Sequence, residues 1–102
     1  MTKAEKLFHD IAKEIPKATE GKMFGALTIK ATNGKSAAMF WKDEIVVKLE
    51  AKDVKKAITL KGAQHFDPMG GRPMKEWIQI PFAHSKEWKP LAQKAMKYIL
   101  TK

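Results

Sequence analysis

The sequence predicts one α+β domain in which helices cover one face of a four-stranded antiparallel sheet. Apolar residues recur at helical spacing near both ends of the chain, and they alternate with polar residues between those ends. Short turn signals at Asn33 and Gly34 and at Lys42 and Asp43 divide the alternating part into strands. The predicted order is helix, three-stranded antiparallel meander, helix, strand, helix.

The first helix is predicted over residues 3 to 15, where Thr2 and Glu5 have the spacing of a capping box and Pro16 ends the pattern. The three strands of the meander follow at about 23–32, 35–41 and 44–50. We expect a type I′ turn at Asn33 and Gly34, since this dipeptide tolerates the positive φ that both central positions need.

The second half begins with a helix predicted over residues 51 to 61, which Gly62 is placed to stop. No periodicity follows until a short strand at 76–80. The last helix is expected to begin near Trp88, because Pro90 belongs in a first turn. The residues expected on the buried face of the sheet are Leu27, Ile29, Ile45, Val47, Leu49, Ile78 and Ile80.

Composition excludes two classes of protein. The 102 residues contain no cysteine, which removes disulfide scaffolds and thiolate metal sites. No apolar run approaches the roughly 20 residues of a membrane span. We therefore expect a single soluble, cytoplasmic domain over residues 1–102 that has no membrane partner.

The net charge of +9 is concentrated in residues 51–102, which carry ten lysines and one arginine against four acids. Such a field favours encounters with nucleic acid or acidic proteins, but a lysine-rich surface also serves solubility alone. Arg72 is the only arginine in the chain. Its guanidinium can bind an anion with two parallel hydrogen bonds, which an ammonium cannot do.

Catalytic signals are weak in this sequence. His9, His65 and His84 lack metal-ligand spacing, and Ser36 and Ser85 lack the Gly-x-Ser-x-Gly context of a nucleophile. We therefore predict no catalytic residue, no metal and no cofactor.

The long loop before the fourth predicted strand is the most informative segment for binding. Backbone N–H groups of Gly70 and Gly71 can approach an anion, with Arg72 and Lys75 as charged arms beside them. In the alternative, the glycines only turn the chain and Arg72 pairs with a surface acid. Pairing of His65 with Asp67 as base and carboxylate is a weaker alternative, since an Asp before Pro is usually a turn residue. The predicted binding residues are Arg72, Lys75, Gly70, Gly71, Trp77 and His65.

Trp77 belongs to a second candidate surface, the outer face of the sheet. We expect it to share that face with Thr28, Lys30, Val46, Lys48 and Gln79, and Trp41 joins them if the register of its strand allows. Aromatic rings among lysines suit base stacking or peptide docking. Alternatively, a helix or a second copy of the chain covers the rings, the latter making a homodimer.

Three segments carry a family resemblance. They are the run from Phe66 to Trp77 with the strand that follows it up to Pro81, the tripeptide Met23-Phe24-Gly25, and the turn Asn33-Gly34-Lys35. In these segments the chain resembles the TfoX N-terminal domain family. More distantly, the chain is similar to the MmcQ/YjbR group. The resemblance covers about residues 5 to 100 and implies a compact α+β domain without known catalysis, associated in full-length relatives with regulation of DNA uptake and transcription. Those relatives continue into a C-terminal helical domain, whereas this sequence ends at Lys102.

Two functions remain open from the sequence. The first is a non-enzymatic regulatory module that docks a protein or nucleic-acid partner through the basic C-terminal half and the loop from Gly70 to Lys75. The alternative is a binding protein or an uncharacterised enzyme that binds a small phosphate or carboxylate with the same loop and His65.

Overall fold

The structure is a computed structural model that describes residues 2–23, 25–67, 70–71 and 74–101, with only the backbone described for Met23 and Met74. Within these residues the chain forms three α-helices, α1 (Lys3–Glu14), α2 (Ala51–Ala57) and α3 (Ser85–Leu100), and a 3-10 turn at Phe82–His84. The strands are β1 (Thr19–Met23), β2 (Ala26–Lys30), β3 (Ser36–Trp41), β4 (Glu44–Lys48), β5 (Gln64–Phe66) and β6 (Met74–Ile80).

The strands form one antiparallel sheet in the order β1-β2-β3-β4-β6-β5. The α+β class and the meander β2-β3-β4 followed by β6 confirm the sequence prediction, but six strands replace the predicted four. The two additional strands are the edges, β1 and β5. β1 reads Thr-Glu-Gly-Lys-Met and β5 has three residues, so neither carries an apolar alternation that a sequence reading can detect.

The predicted first strand is divided in the structure. Met23 ends β1 and pairs with Ala26, the first residue of β2, across a turn in which Gly25 has φ +76°. This hairpin needs a residue that tolerates positive φ at that position, and glycine does so without a steric cost.

The prediction of a type I′ turn at Asn33 and Gly34 is wrong. Gly34 has φ +80° while Asn33 is not at positive φ, and the Gly34 N–H donates to the Ala31 carbonyl at 2.9 Å. This is the pattern of a longer hairpin loop that ends in one left-handed glycine. The two-residue turn with both residues at positive φ lies instead at Lys42 and Asp43, with φ of 50° and 62°.

The helices also differ from their predicted bounds. α1 ends at Glu14, one residue before the predicted end, and its predicted cap is confirmed, because the Thr2 hydroxyl accepts a hydrogen bond from the Glu5 N–H at 3.1 Å.

α2 ends at Ala57, four residues before its predicted end. The N–H groups of Thr59 and Leu60 donate to carbonyls three residues earlier, which tightens the chain before Gly62.

The last helix, α3, begins at Ser85 rather than near Trp88, so that Pro90 is its sixth residue. The 3-10 turn before it, closed by the His84 N–H on the Pro81 carbonyl at 3.0 Å, already sets a helical path. Pro90 therefore removes one intrahelical hydrogen bond without ending the helix.

Side chains from all three helices pack on one face of the sheet, which we call the inner face. Of the residues predicted there, Leu27 is half-buried and the other six are buried. The opposite face carries a smaller buried cluster that contains no helix residue, and we call it the outer-face cluster. Its members are Met39, Val46, Phe66 and Trp77, with Trp41 packed against them.

None of the helices in the described ranges combines the length and the apolar composition that crossing a bilayer requires.

Candidate binding sites beside α2

The structure brings only some of the predicted binding residues together. Arg72 lies outside the described residues, as do Phe24, Pro68, Met69 and Pro73 of the motifs that carry the family resemblance. His65 lies on β5, and Lys75 and Trp77 lie on β6.

The N–H groups of Gly70 and Gly71 are bonded to Asp67. The Gly71 N–H donates to the Asp67 carboxylate at 3.0 Å, and the Gly70 N–H makes a longer bond of 3.4 Å to the Asp67 carbonyl. Asp67 thus acts as a turn residue, and its carboxylate lies where a bound anion was predicted. In this structure neither N–H group is free for a phosphate.

His65 and Lys75 line the same cleft of about 490 Å³, which we call the His65 cleft. α2 forms one wall, β5 and β6 another, and the C-terminal part of α3 the third. The other lining residues are Ala51, Val54, Lys55, Glu76 and Tyr98. These residues come from three separate parts of the chain, so no local sequence pattern links them.

The His65 ring is not held by a hydrogen bond at Nδ1. This nitrogen is buried and has no partner in the part of the chain that the structure describes. Buried polar atoms are usually hydrogen-bonded, so an unpartnered one marks an unusual place in the fold. Asp67, the suggested catalytic partner of His65, makes no hydrogen bond to this nitrogen.

The charged residues of the His65 cleft are unevenly paired. Glu76 lies 3.8 Å from the Lys48 ammonium, whereas Lys55 and Lys75 have no ion pair within the described ranges. In the described part of the chain, the cleft therefore has two ammonium groups without an ion pair next to its apolar residues.

Trp77 does not line the His65 cleft. It is 8% exposed within the outer-face cluster, with the Lys48 ammonium 5.8 Å from its ring centroid. Trp41 meets Phe66 edge to face, with ring centroids 5.4 Å apart. The described members of the cluster thus pack against one another, and the largely buried Trp77 ring offers no open face for stacking.

A second groove runs between α2 and α3 and has a volume of about 490 Å³. Its lining residues are Glu50, Lys52, Asp53, Lys56, Lys94, Lys97, Tyr98 and Thr101. We call it the α2–α3 groove. The sequence indicates this groove only weakly. Lys52 and Lys56 are four residues apart on α2 and Lys94 and Lys97 are three apart on α3, so each pair lies on one face of its helix.

Two ion pairs lie in the α2–α3 groove. Asp53, whose side chain is 13% exposed, lies 3.6 Å from the Lys94 ammonium and links the two helices, and Glu50 lies 3.5 Å from the Lys52 ammonium. Lys56 and Lys97 have no acidic partner among the described residues. The groove therefore keeps a positive field after its internal pairing.

A third cluster joins α1 to β1. His9 lies between the carboxylates of Glu5, at 3.6 Å, and Glu20, which contacts Nδ1. Over the ranges described, no three His, Asp or Glu side chains form a group that could hold a metal ion.

Comparisons of the chain with protein-family models, with curated proteins and with solved structures found no match.

Proposed function

We propose that the chain is a non-enzymatic binding module that docks the phosphate backbone of a nucleic acid along the α2–α3 groove. The observation that carries the proposal is the gathering of four lysines in one groove, two of them without an acidic partner among the described residues. Like charges held together repel each other, and a polyanion relieves this repulsion while its own counterions are released.

A nucleic acid suits this groove better than an acidic protein does. Protein interfaces concentrate their binding energy in buried aromatic or arginine anchors, and lysine is depleted there. Tyr98 is the only aromatic residue that lines the groove within the described ranges. Phosphates, in contrast, accept single contacts from flexible ammonium groups, and these contacts carry no sequence information.

The proposal includes the regulatory role that the TfoX-like motif implies. Two observations support this role. The first is the run from Phe66 to Trp77. The second is the succession of helix, meander, helix, strand and helix, which is contained in the observed order of elements. We place the module in the cytoplasm, where nucleic acid is available to it.

The proposal is tested with a fluorescently labelled DNA duplex whose binding is followed by anisotropy over a series of salt concentrations. Lys56→Gln with Lys97→Gln removes two groove charges that make no ion pair, so folding should be unaffected. The slope of log K against log salt should become shallower by about 2, at roughly 0.9 per lost phosphate contact.

The matched control is Lys3→Gln with Lys13→Gln, which removes the same charge from α1, where both lysines are exposed and make no ion pair among the described residues. This control should retain the original slope. Equal changes in both variants would show that net charge alone attracts DNA, and an absence of binding at low salt would also contradict the proposal. A polyglutamate competitor that displaces the duplex at equal charge concentration would favour an acidic protein instead.

A further inference from the structure

We infer that the His65 cleft binds a small organic monocarboxylate with a compact apolar body. This inference is independent of the proposed function, because the cleft and the α2–α3 groove use different lysines and share Tyr98 alone.

The shape and lining of the cleft suit a small molecule. Its volume of about 490 Å³ lies within the range of typical ligand sites, roughly 300 to 1,000 Å³. Ala51 and Val54 from α2 and the ring of Tyr98 from α3 supply the apolar surface. A few polar groups on otherwise apolar walls are the usual composition of such sites.

The charges of the cleft select a monoanion. Lys55 and Lys75 make no ion pair among the described residues, and Glu76, which also lines the cleft, adds one negative charge that Lys48 partly offsets. Both ammonium groups attract a carboxylate that enters the cleft. A phosphate dianion would bring more charge towards Glu76 and would leave the apolar walls without contacts.

His65 is the group that we expect to respond to the ligand. Its buried Nδ1 has no hydrogen-bond partner among the described residues. No hydrogen bond from these residues to Nδ1 therefore opposes a half-turn of the ring, which exchanges Nδ1 with Cδ2. A carboxylate oxygen in the cleft then accepts a hydrogen bond from the ring. The other two histidines are already engaged, His9 by Glu20 and His84 by the Lys61 carbonyl at 2.7 Å.

The experiment titrates the folded chain with benzoate and follows the imidazole signals of its three histidines by NMR. We expect a saturable change at His65, no change at His9 or His84, and a rise in melting temperature. Lys55→Gln with Lys75→Gln should weaken the Kd at least tenfold. Lys52→Gln, an exposed lysine on the same helix that lines the other groove, should leave it unchanged.

Two further probes make the inference falsifiable. Inorganic phosphate that binds as tightly as benzoate would show a general anion site, and benzyl alcohol that binds as tightly would show an apolar cavity without carboxylate recognition. Either result overturns the inference, as does an unchanged His65 signal at saturating benzoate. The Lys56→Gln, Lys97→Gln variant should bind benzoate normally, so this inference and the nucleic-acid proposal can fail separately.

Discussion

At the residue scale, Asn33 links two distant parts of the chain. Its Nδ2 donates to the Ile99 carbonyl at 3.0 Å, in the last turn of α3, and its Oδ1 accepts from the Lys35 N–H at 3.0 Å. Carbonyls in the last turn of a helix have no partner within the helix. Asn33 therefore closes the end of α3 and the loop between β2 and β3 with one side chain.

Asn33→Asp separates these two contacts. The aspartate keeps the acceptor for the Lys35 N–H, but it places a carboxylate against a carbonyl at the negative end of the helix dipole. We expect a loss of about 1 to 2 kcal/mol in the free energy of unfolding in urea, from one hydrogen bond and an unfavourable charge. Thr32→Ala, at the exposed neighbouring position, is the control. An Asp variant as stable as the original chain would show that the bond to Ile99 contributes nothing.

At the element scale, α3 is the main cover of the inner face, where it packs on β3 and β4. Its buried stripe contains Trp88, Leu91, Ala92, Ala95, Met96 and Ile99. The Trp88 indole N–H donates to the Pro81 carbonyl at 3.1 Å, so the largest side chain of the stripe is also satisfied as a donor.

Leu91→Ala tests the orientation of α3. Removing this buried side chain should cost about 2 to 5 kcal/mol, from lost transfer free energy and the cavity that remains. Lys97→Ala, an exposed substitution on the same helix, should change the stability by less than about 0.5 kcal/mol. The midpoints of urea unfolding measure both effects, and similar midpoints for the two variants would mean that the helix face is assigned wrongly.

At the scale of the whole molecule, both faces of the sheet carry buried side chains. Val46 belongs to the outer-face cluster and its neighbour Val47 to the inner-face core, as the alternation of a strand requires. One backbone thus connects the two clusters. We expect them to unfold together, since disordering the strands removes the support of both.

The three tryptophans provide a test of this cooperativity. Trp88 reports on the inner face, and Trp41 and Trp77 report on the outer face. The single variant Trp88→Phe keeps only the tryptophans of the outer face. The double variant Trp41→Phe, Trp77→Phe keeps only the tryptophan of the inner face. In each variant the fluorescence midpoint in urea should coincide with the midpoint from far-UV circular dichroism. An earlier fluorescence transition for the outer face would show that its cluster melts separately.

The predicted binding loop shows how far the sequence could locate a site. The sequence named His65 and Lys75 as binding residues, and in the structure both line one cleft. The sequence did not show that the N–H groups of Gly70 and Gly71 donate hydrogen bonds to Asp67, because these bonds depend on the local path of the chain. Nor could it place Val54 and Tyr98 beside His65, since such contacts between distant segments leave no periodic pattern.

The sequence by itself determined the helices, the meander and the inner face, because an element that is buried on one face has apolar residues at the spacing of that face. Only the tertiary structure decided the edge strands and the turn types. β1 and β5 are held by backbone hydrogen bonds to β2 and β6, and such bonds need no particular side chains. The same holds for the two grooves beside α2, whose lysines come together only when the helices pack on the sheet.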